Sequence, residues 1–217
     1  HYVEKGKYDW TIENRSVELF PDDLSITAPW QIHGSPSGKM DLGEINWIVI
    51  KPEVFAPDAA LQLGAWTSLP EHFQSNLGRL IAGSDGVVLK RVRRFKRYFQ
   101  EIRQEFKNQQ EGFELLVVNL LENMLIELKR ELESQKQQTE NDDSFLLSLT
   151  EIITNDLARK WLVEDLATKF GMGRTKFTNE VRRLSGYPPN SFIINLRLEH
   201  AKTMLADEDN TLSHIAY

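Results

Sequence analysis

Eleven consecutive residues, 134–144, contain no apolar side chain, and this run divides the 217-residue chain into two parts. A segment made of Ser, Gln, Lys, Thr, Glu, Asn and Asp cannot bury itself in a core. It therefore predicts an interdomain linker, which we place at 138–144. The parts on either side are long enough for separate cores, so we expect a multidomain protein.

Residues 1–66 are predicted to form short strands. Runs rich in strand-forming residues lie at 8–12, 16–20, 24–27 and 45–50, and turn-forming residues such as Asn14 separate them. Strands of this length and spacing are typical of a sandwich or a barrel. They are too few to close a barrel, so we expect a partial barrel that lacks N-terminal residues.

Residues 67–137 are predicted to form a pair of long helices. Apolar residues recur every three or four positions from Val88 to Phe106 and, after a break at 109–112, from Phe113 to Leu132. Helices joined by so short a break pack antiparallel. Their apolar surface is wide, which leaves two alternatives open for 88–134: an intrachain core or a homodimer interface.

Six basic residues and no acidic residue lie at 90–97. On a helix, these basic side chains would share the face opposite the apolar stripe: Lys90, Arg93, Arg94 and Arg97. A charged face of this kind is usually solvated. The alternative is a docking surface for DNA or for the linked domain.

Several protein classes are disfavoured by what the sequence lacks. There is no Cys, which excludes disulfides, zinc thiolate sites and cysteine nucleophiles. No uncharged apolar run reaches the roughly 18 residues that a membrane span needs. There is also no Gly-rich phosphate loop, nucleophile motif or His–carboxylate constellation, so we predict no enzyme, no catalytic residue and no cofactor.

The most informative motif lies at 163–185. Two apolar stripes with helical spacing flank Gly171: Val163, Leu166 and Phe170 before it, and Phe177, Val181 and Leu184 after it. Gly171 stands where the chain must reverse, and glycine tolerates the positive φ that such a turn requires. Two short helices joined by a glycine-containing turn form a helix-turn-helix unit.

The outward face of the second helix carries polar residues at positions i, i+3, i+4 and i+7: Thr175, Thr178, Asn179 and Arg182. Such side chains can reach base edges in the major groove, whereas the flanking Arg174, Lys176 and Arg183 suit phosphates. A solvated helix face is the alternative, and the net charge of −6 is unusual for a nucleic-acid binder. The preceding helix and glycine turn favour DNA.

Residues 145–217 resemble the DNA-binding domain of the AraC/XylS family of bacterial transcription regulators. The Val-x-x-Leu-Ala pattern at 163–167 recurs as Leu-x-x-Ile-Ala at 212–216. Between these segments lie the other matching residues: Gly171, Phe177, Val181, the Ser-Gly-Tyr-Pro-Pro step at 185–189, Phe192, Arg197, Leu198, Ala201, Met204 and Leu205. The resemblance implies two helix-turn-helix units joined by a long helix, a cytoplasmic location and double-stranded DNA as the partner.

The same resemblance implies roles for particular residues. DNA contacts fall on Arg174, Thr175, Thr178, Asn179 and Arg182. The second recognition helix falls beyond Tyr217, so this chain is expected to carry only the start of that unit and to read half a site.

The N-terminal region resembles a cupin, the barrel that binds a small effector in many members of this family. The resemblance rests on the stretch 17–29 and on His33, with Asp22 standing where glycine is usual. Candidate effector-binding residues are Trp10, Trp30, His33 and Trp47. A plain core role is the alternative for the tryptophans. We predict no metal, because this region offers only His1 and His33 as imidazole ligands.

These expectations combine into an α+β multidomain protein, with a partial cupin-like β-barrel and a helical pair followed by an all-α helix-turn-helix domain. The predicted function is sequence-specific DNA binding in transcription regulation, controlled by a small-molecule effector, in a homodimer formed through helices 88–134. No membrane association is expected. The alternatives are a cupin-type small-molecule-binding protein or enzyme with a helical appendage, and a purely structural helical adaptor.

Overall fold

A computed structural model describes residues 1–84 and 86–205. The chain forms two compact units, His1–Ser134 and Gln135–Tyr217. Antiparallel sheets and helices build the first unit, whereas the described part of the second unit is helical. The α+β class is thereby confirmed.

Nine strands occur in the described part of the first unit: β1 (Tyr2–Lys5), β2 (Tyr8–Ile12), β3 (Arg15–Leu19), β4 (Leu24–Ile26), β5 (His33–Gly34), β6 (Glu44–Asn46), β7 (Val54–Ala56), β8 (Ala59–Gln62) and β9 (Val87–Leu89). They form a four-stranded sheet in the order β6-β1-β4-β9, a three-stranded sheet β3-β2-β5 and a hairpin β7-β8. No sheet closes into a barrel within the residues that the structure describes. The strand predicted at 45–50 is shorter than expected, and β1, β5, β7, β8 and β9 were not predicted.

Six helices are described: α1 (Glu71–Ala82), α2 (Lys96–Asn108), α3 (Phe113–Thr154), α4 (Val163–Lys169), α5 (Arg174–Ser185) and α6 (Pro189–Leu205). The predicted break at 109–112 is confirmed, since α2 ends in a left-handed residue, Gln109, with φ 45°. Helices α4 and α5 lie within the motif predicted at 163–185.

The helix predicted to begin near Val88 is wrong in its first two turns, since α2 begins only at Lys96. Residues 87–89 form β9, which pairs antiparallel with β4 and places Leu24 opposite Leu89. A 3₁₀ turn at Arg93–Phe95 follows, and only then does α2 begin. The apolar spacing there suits either element, and pairing with β4, far away in sequence, decides for a strand.

Because 90–95 are not part of an α-helix, the basic residues at 90–97 do not share the one solvated helix face that the sequence predicted. Lys90 lies 2.9 Å from the buried carboxylate of Asp23, and Arg94 pairs with Glu131. Arg97 pairs with Glu127 on α3. These ion pairs attach the basic segment to the rest of the first unit.

The segment predicted as a linker is helical. Residues 134–144 lie inside α3, and nearly all of them are exposed. Within the helix, the Gln138 side chain donates to Asp142 at 2.7 Å and Lys136 pairs with Glu140. The boundary between the units, after Ser134, nevertheless falls at the start of this segment. The segment 134–144 therefore contributes no apolar side chain to a core, and side-chain contacts between residues four apart stabilise it as a helix.

The four-stranded sheet has two covered faces. One face, with Tyr2, Leu24 and Leu89, packs in a core with residues of α1, α2 and α3. The other face contributes Val3 and Val88 to a smaller core with the three-stranded sheet. The turn before β4 contains Asp22 with φ 72°, so an aspartate adopts the left-handed conformation for which glycine is usual.

Candidate functional site

Helices α4 and α5 form a compact pair in the second unit. Leu166 and Ala167 of α4 and Phe177 and Val181 of α5 are buried in one core. Gly171 has a φ of 62°, as the glycine turn requires. The predicted apolar stripes therefore meet, and the two helices form the expected helix-turn-helix pair.

The polar stripe of α5 lies opposite this core. Thr175, Asn179 and Arg182 are exposed and Thr178 is half-buried. Thr178 and Asn179 make no side-chain hydrogen bond to another described residue, and Arg182 forms no ion pair within 1–84 and 86–205. These donors and acceptors are therefore available to an external partner.

The two flanking arginines differ in how firmly they are held. Arg174 makes one exposed ion pair, with Glu164 at 2.8 Å. Arg183 donates to both carboxylate oxygens of Asp142, at 2.9 and 2.6 Å, and also to Glu180 at 2.7 Å. The hydrogen bonds from Arg183 lower the pKa of the Asp142 carboxyl and of the Glu180 carboxyl. Sequence reasoning missed this fixation, because Asp142 lies 41 residues away.

Arg197 attaches helix α6 to the turn segment that follows α3. Its Nε donates to the carbonyl of Leu157 and its Nη2 to the carbonyl of Arg159, both at 2.8 Å. The indole of Trp161 donates to the carbonyl of Asp156 at 2.9 Å. These bonds satisfy backbone carbonyls of the segment between α3 and α4, which has no helical hydrogen-bond ladder to do so.

The residues predicted for effector binding do not form one group. His33 and Trp47 line a cavity of about 490 Å³ in the first unit. Trp10 instead lies in the core between the two larger sheets, and Trp30 packs on Phe55 with ring centroids 4.8 Å apart.

The other walls of this cavity come from residues that sequence reasoning did not single out. Most of them lie on β4, β7, β8, α1, α2 and α3 and in the segment 47–52: among them are Ile26, Ile81, Phe99, Met124, Leu125 and Leu128. No local sequence signal marks them, since their apolar spacing is that of ordinary core residues.

The described residues contain neither a cluster of metal ligands nor a helix suited to a membrane. Across 1–84 and 86–205, no group of three or more His, Asp or Glu residues is placed to hold a metal ion. In the same part of the chain, none of the helices combines the length and the apolar character needed to cross a membrane.

Comparison with known protein families identifies the C-terminal part of the chain. The family model described as a helix-turn-helix domain matches residues 166–217, which include most of α4 and all of α5 and α6. The remainder of the match, with the predicted repeat at 212–216, lies outside the described residues. Neither the curated proteins nor the solved structures contain a match to this chain.

Proposed function

We propose, from the match of residues 166–217 to a helix-turn-helix domain of the AraC type, that the chain is a transcription regulator that reads DNA sequence with α5. A domain of this type implies DNA binding and transcription regulation rather than enzyme activity. The observation that carries the proposal is the polar stripe on the outward face of α5. Its partner is double-stranded DNA, read in the major groove.

Base contacts are assigned to the stripe itself. Asn179 offers a carboxamide, which forms two hydrogen bonds to adenine, and Arg182 offers a guanidinium, which does the same with guanine. Thr175 and Thr178 are short enough to allow close approach. The exposure of Asn179 and Arg182 supports this assignment, as does the absence of partners for their side chains among residues 1–84 and 86–205, because no bond to those residues must break first.

Phosphate contact is assigned to Arg174 in preference to Arg183. The ion pair of Arg174 with Glu164 is exposed, and such pairs contribute little free energy, so a phosphate can replace the carboxylate. Arg183 would have to leave two carboxylates, one of them bound through both oxygens. Its proposed role is therefore to hold α5 against α3, with phosphate contact as the lesser alternative.

The first unit is proposed as the sensor and dimerisation region, with a cupin-like partial barrel at 1–66 and dimerising helices at 67–137. The cavity of about 490 Å³ supports effector binding, because its size is typical of small-molecule sites. Exposed apolar side chains on α2 and α3, namely Phe106, Leu115 and Leu116, support a homodimer through helices 88–134. A dimer would engage two half-sites at once.

The test compares two asparagine variants of the full chain on DNA. Asn179→Ala is expected to reduce discrimination between a specific fragment from the gene's own upstream region and random DNA of equal length by about 1–3 kcal/mol. The matched control is Asn155→Ala, which removes an exposed asparagine that follows α3. Affinities are measured by fluorescence anisotropy at one fixed salt concentration.

The outcome that contradicts the assignment is an equal loss on both DNAs for Asn179→Ala. Arg174→Ala, in contrast, should weaken binding to both DNAs alike and reduce the salt dependence of the affinity. If the unaltered chain does not distinguish its upstream DNA from random DNA, the proposed function itself is wrong.

A further inference from the structure

The cavity of the first unit lies on the helix side of the four-stranded sheet. Leu24 and Ile26 of β4 line it, together with Ile81 of α1 and Phe99 of α2. The sheet's other face packs against the three-stranded sheet through Val88, in the core that holds Trp10. The cavity therefore lies on the helix side of the four-stranded sheet, and residues of β5, of the β7-β8 hairpin and of the segment 47–52 complete its lining.

The chemistry of the walls limits what can occupy the cavity. No Asp or Glu is among its lining residues, although the whole chain carries a net charge of −6. Lys51 and the imidazole of His33 line the cavity but are exposed, so water already solvates their polar atoms, and the half-buried imidazole of His1 packs against that of His33. The buried walls are aliphatic and aromatic side chains apart from Ser25, whose hydroxyl has no hydrogen-bond partner among the described residues. A charged group placed among them would lose its hydration without gaining a buried partner of opposite charge.

We infer that this cavity is the effector site of the regulator and that its ligand is an uncharged, largely apolar organic molecule. The inference rests on the proposed function for the role of the ligand, but not for its chemistry. Burial of the ligand's apolar surface supplies the free energy of binding. A neutral polar group can remain near the edge of the cavity, where Thr27 and His33 supply hydrogen-bonding atoms.

One wall of the site belongs to α3. Met124, Leu125 and Leu128 of this helix line the cavity. A methionine adapts readily to ligands of different shape, because its side chain is unbranched and polarisable.

The first test measures binding of three naphthalene probes to the full chain by titration calorimetry near neutral pH. The probes share one ring system: 2-naphthol is uncharged, naphthalene-2-carboxylate is an anion and 2-naphthylmethylamine is a cation. We expect 2-naphthol to bind with a negative heat-capacity change and each charged probe at least about tenfold more weakly. Equal or tighter binding of a charged probe, or no binding of 2-naphthol, overturns the inference.

The second test locates the bound probe. Ala28→Leu enlarges a buried side chain on the cavity wall and should weaken 2-naphthol binding at least about tenfold. Ala82→Leu makes the same exchange at a half-buried position of α1 that does not line the cavity, and it should leave binding unchanged. Where circular dichroism shows that Ala28→Leu does not fold, Leu125→Phe on the opposing helix replaces it. Equal affinities in cavity and control variants place the probe elsewhere and overturn the inference.

These measurements use no DNA, so their failure is distinct from failure of the proposed function. If the chain binds its upstream DNA specifically but does not bind 2-naphthol, the proposed regulatory function stands and the inferred apolar effector is wrong. If the chain binds 2-naphthol but not DNA, the inferred ligand class stands and the proposed regulatory function is wrong.

Discussion

The two units of this chain use their apolar residues in opposite ways. In the second unit, the rings of Phe145, Phe170 and Phe177 lie within 6.0 Å of one another and fill a small helical core. In the first unit, sheets and helices pack around a cavity of about 490 Å³. The comparison indicates where a binding site is expected in each unit: on the exposed helix surface of the tightly packed second unit, and inside the cavity of the first unit.

The largest expected effect comes from breaking the filled core. Phe177 is fully buried, so Phe177→Ala should destabilise the second unit by about 3–5 kcal/mol and abolish DNA binding. Binding of 2-naphthol to the first unit should persist. Thermal unfolding by circular dichroism and calorimetry measure the two effects.

Phe177→Leu is the control for this experiment, because it keeps the site apolar and should cost about 1–2 kcal/mol. If Phe177→Ala removed 2-naphthol binding as well, the two cores would not be independent, and the comparison would fail.

A buried carboxylate of the first unit should give the next largest effect. Asp23 accepts hydrogen bonds from the backbone of Phe20 at 2.9 Å and of Arg91 at 3.0 Å, and from Lys90 Nζ at 2.9 Å. Asp23→Ala leaves these donors without a partner and should cost about 1–3 kcal/mol. Denaturant unfolding measures the loss.

The control, Asp58→Ala, removes an exposed aspartate and should change stability by less than about 0.5 kcal/mol. Specific DNA binding by folded Asp23→Ala should equal that of the unaltered chain. A selective loss of DNA affinity would show that the two units share stability.

Alanine substitutions at two glycines of the second unit distinguish the cost of backbone strain from the cost of a steric clash. A Cβ would meet nothing within 4 Å at either Gly186, with φ 77°, or Gly173, with φ −71°. Gly186→Ala should therefore destabilise by about 1–2 kcal/mol through the left-handed conformation alone. Gly173→Ala keeps an ordinary φ and loses only the preference of an N-cap for glycine over alanine, so it should cost less, about 0.5–1 kcal/mol. Similar melting temperatures for the two variants would refute the proposed origin of the effect.

The smallest effect concerns the exposed ion pair between α3 and α5. Because Arg183 lowers the pKa of Asp142 in the folded chain, the pair stabilises folding above the unfolded value of 3.8. This stabilisation is lost as pH falls through the lowered pKa. Asp142→Asn should therefore reduce the melting temperature of the second unit slightly at neutral pH and flatten its decline in acid.

Asp143→Asn provides the matched control, since Asp143 is exposed and makes no ion pair in the described part of the chain. Melting curves from about pH 3 to about pH 7 compare the two variants. An unchanged acid profile in Asp142→Asn would mean that the pair contributes nothing to stability, as is common for exposed ion pairs.

The helix-turn-helix pair could be predicted because its signals are local. The spacing of Leu166, Phe177 and Val181 is set by the helix repeat, and Gly171 marks the turn between them. The match at 166–217 confirms that interpretation. The contact roles of Thr175, Thr178, Asn179 and Arg182, the effector and the homodimer stay predictions.

The sequence by itself determined α2 and α4 to α6, strand β2, and the polar face of α5, because each depends on neighbours within a few residues. Only the tertiary structure decided that Val88 lies in a strand, that Asp142 holds Arg183, and that His33 and Trp47 share a cavity while Trp10 does not. The reason is physical: these outcomes depend on residues tens of positions apart, and the periodicity of apolar residues carries no information about which distant surfaces will meet.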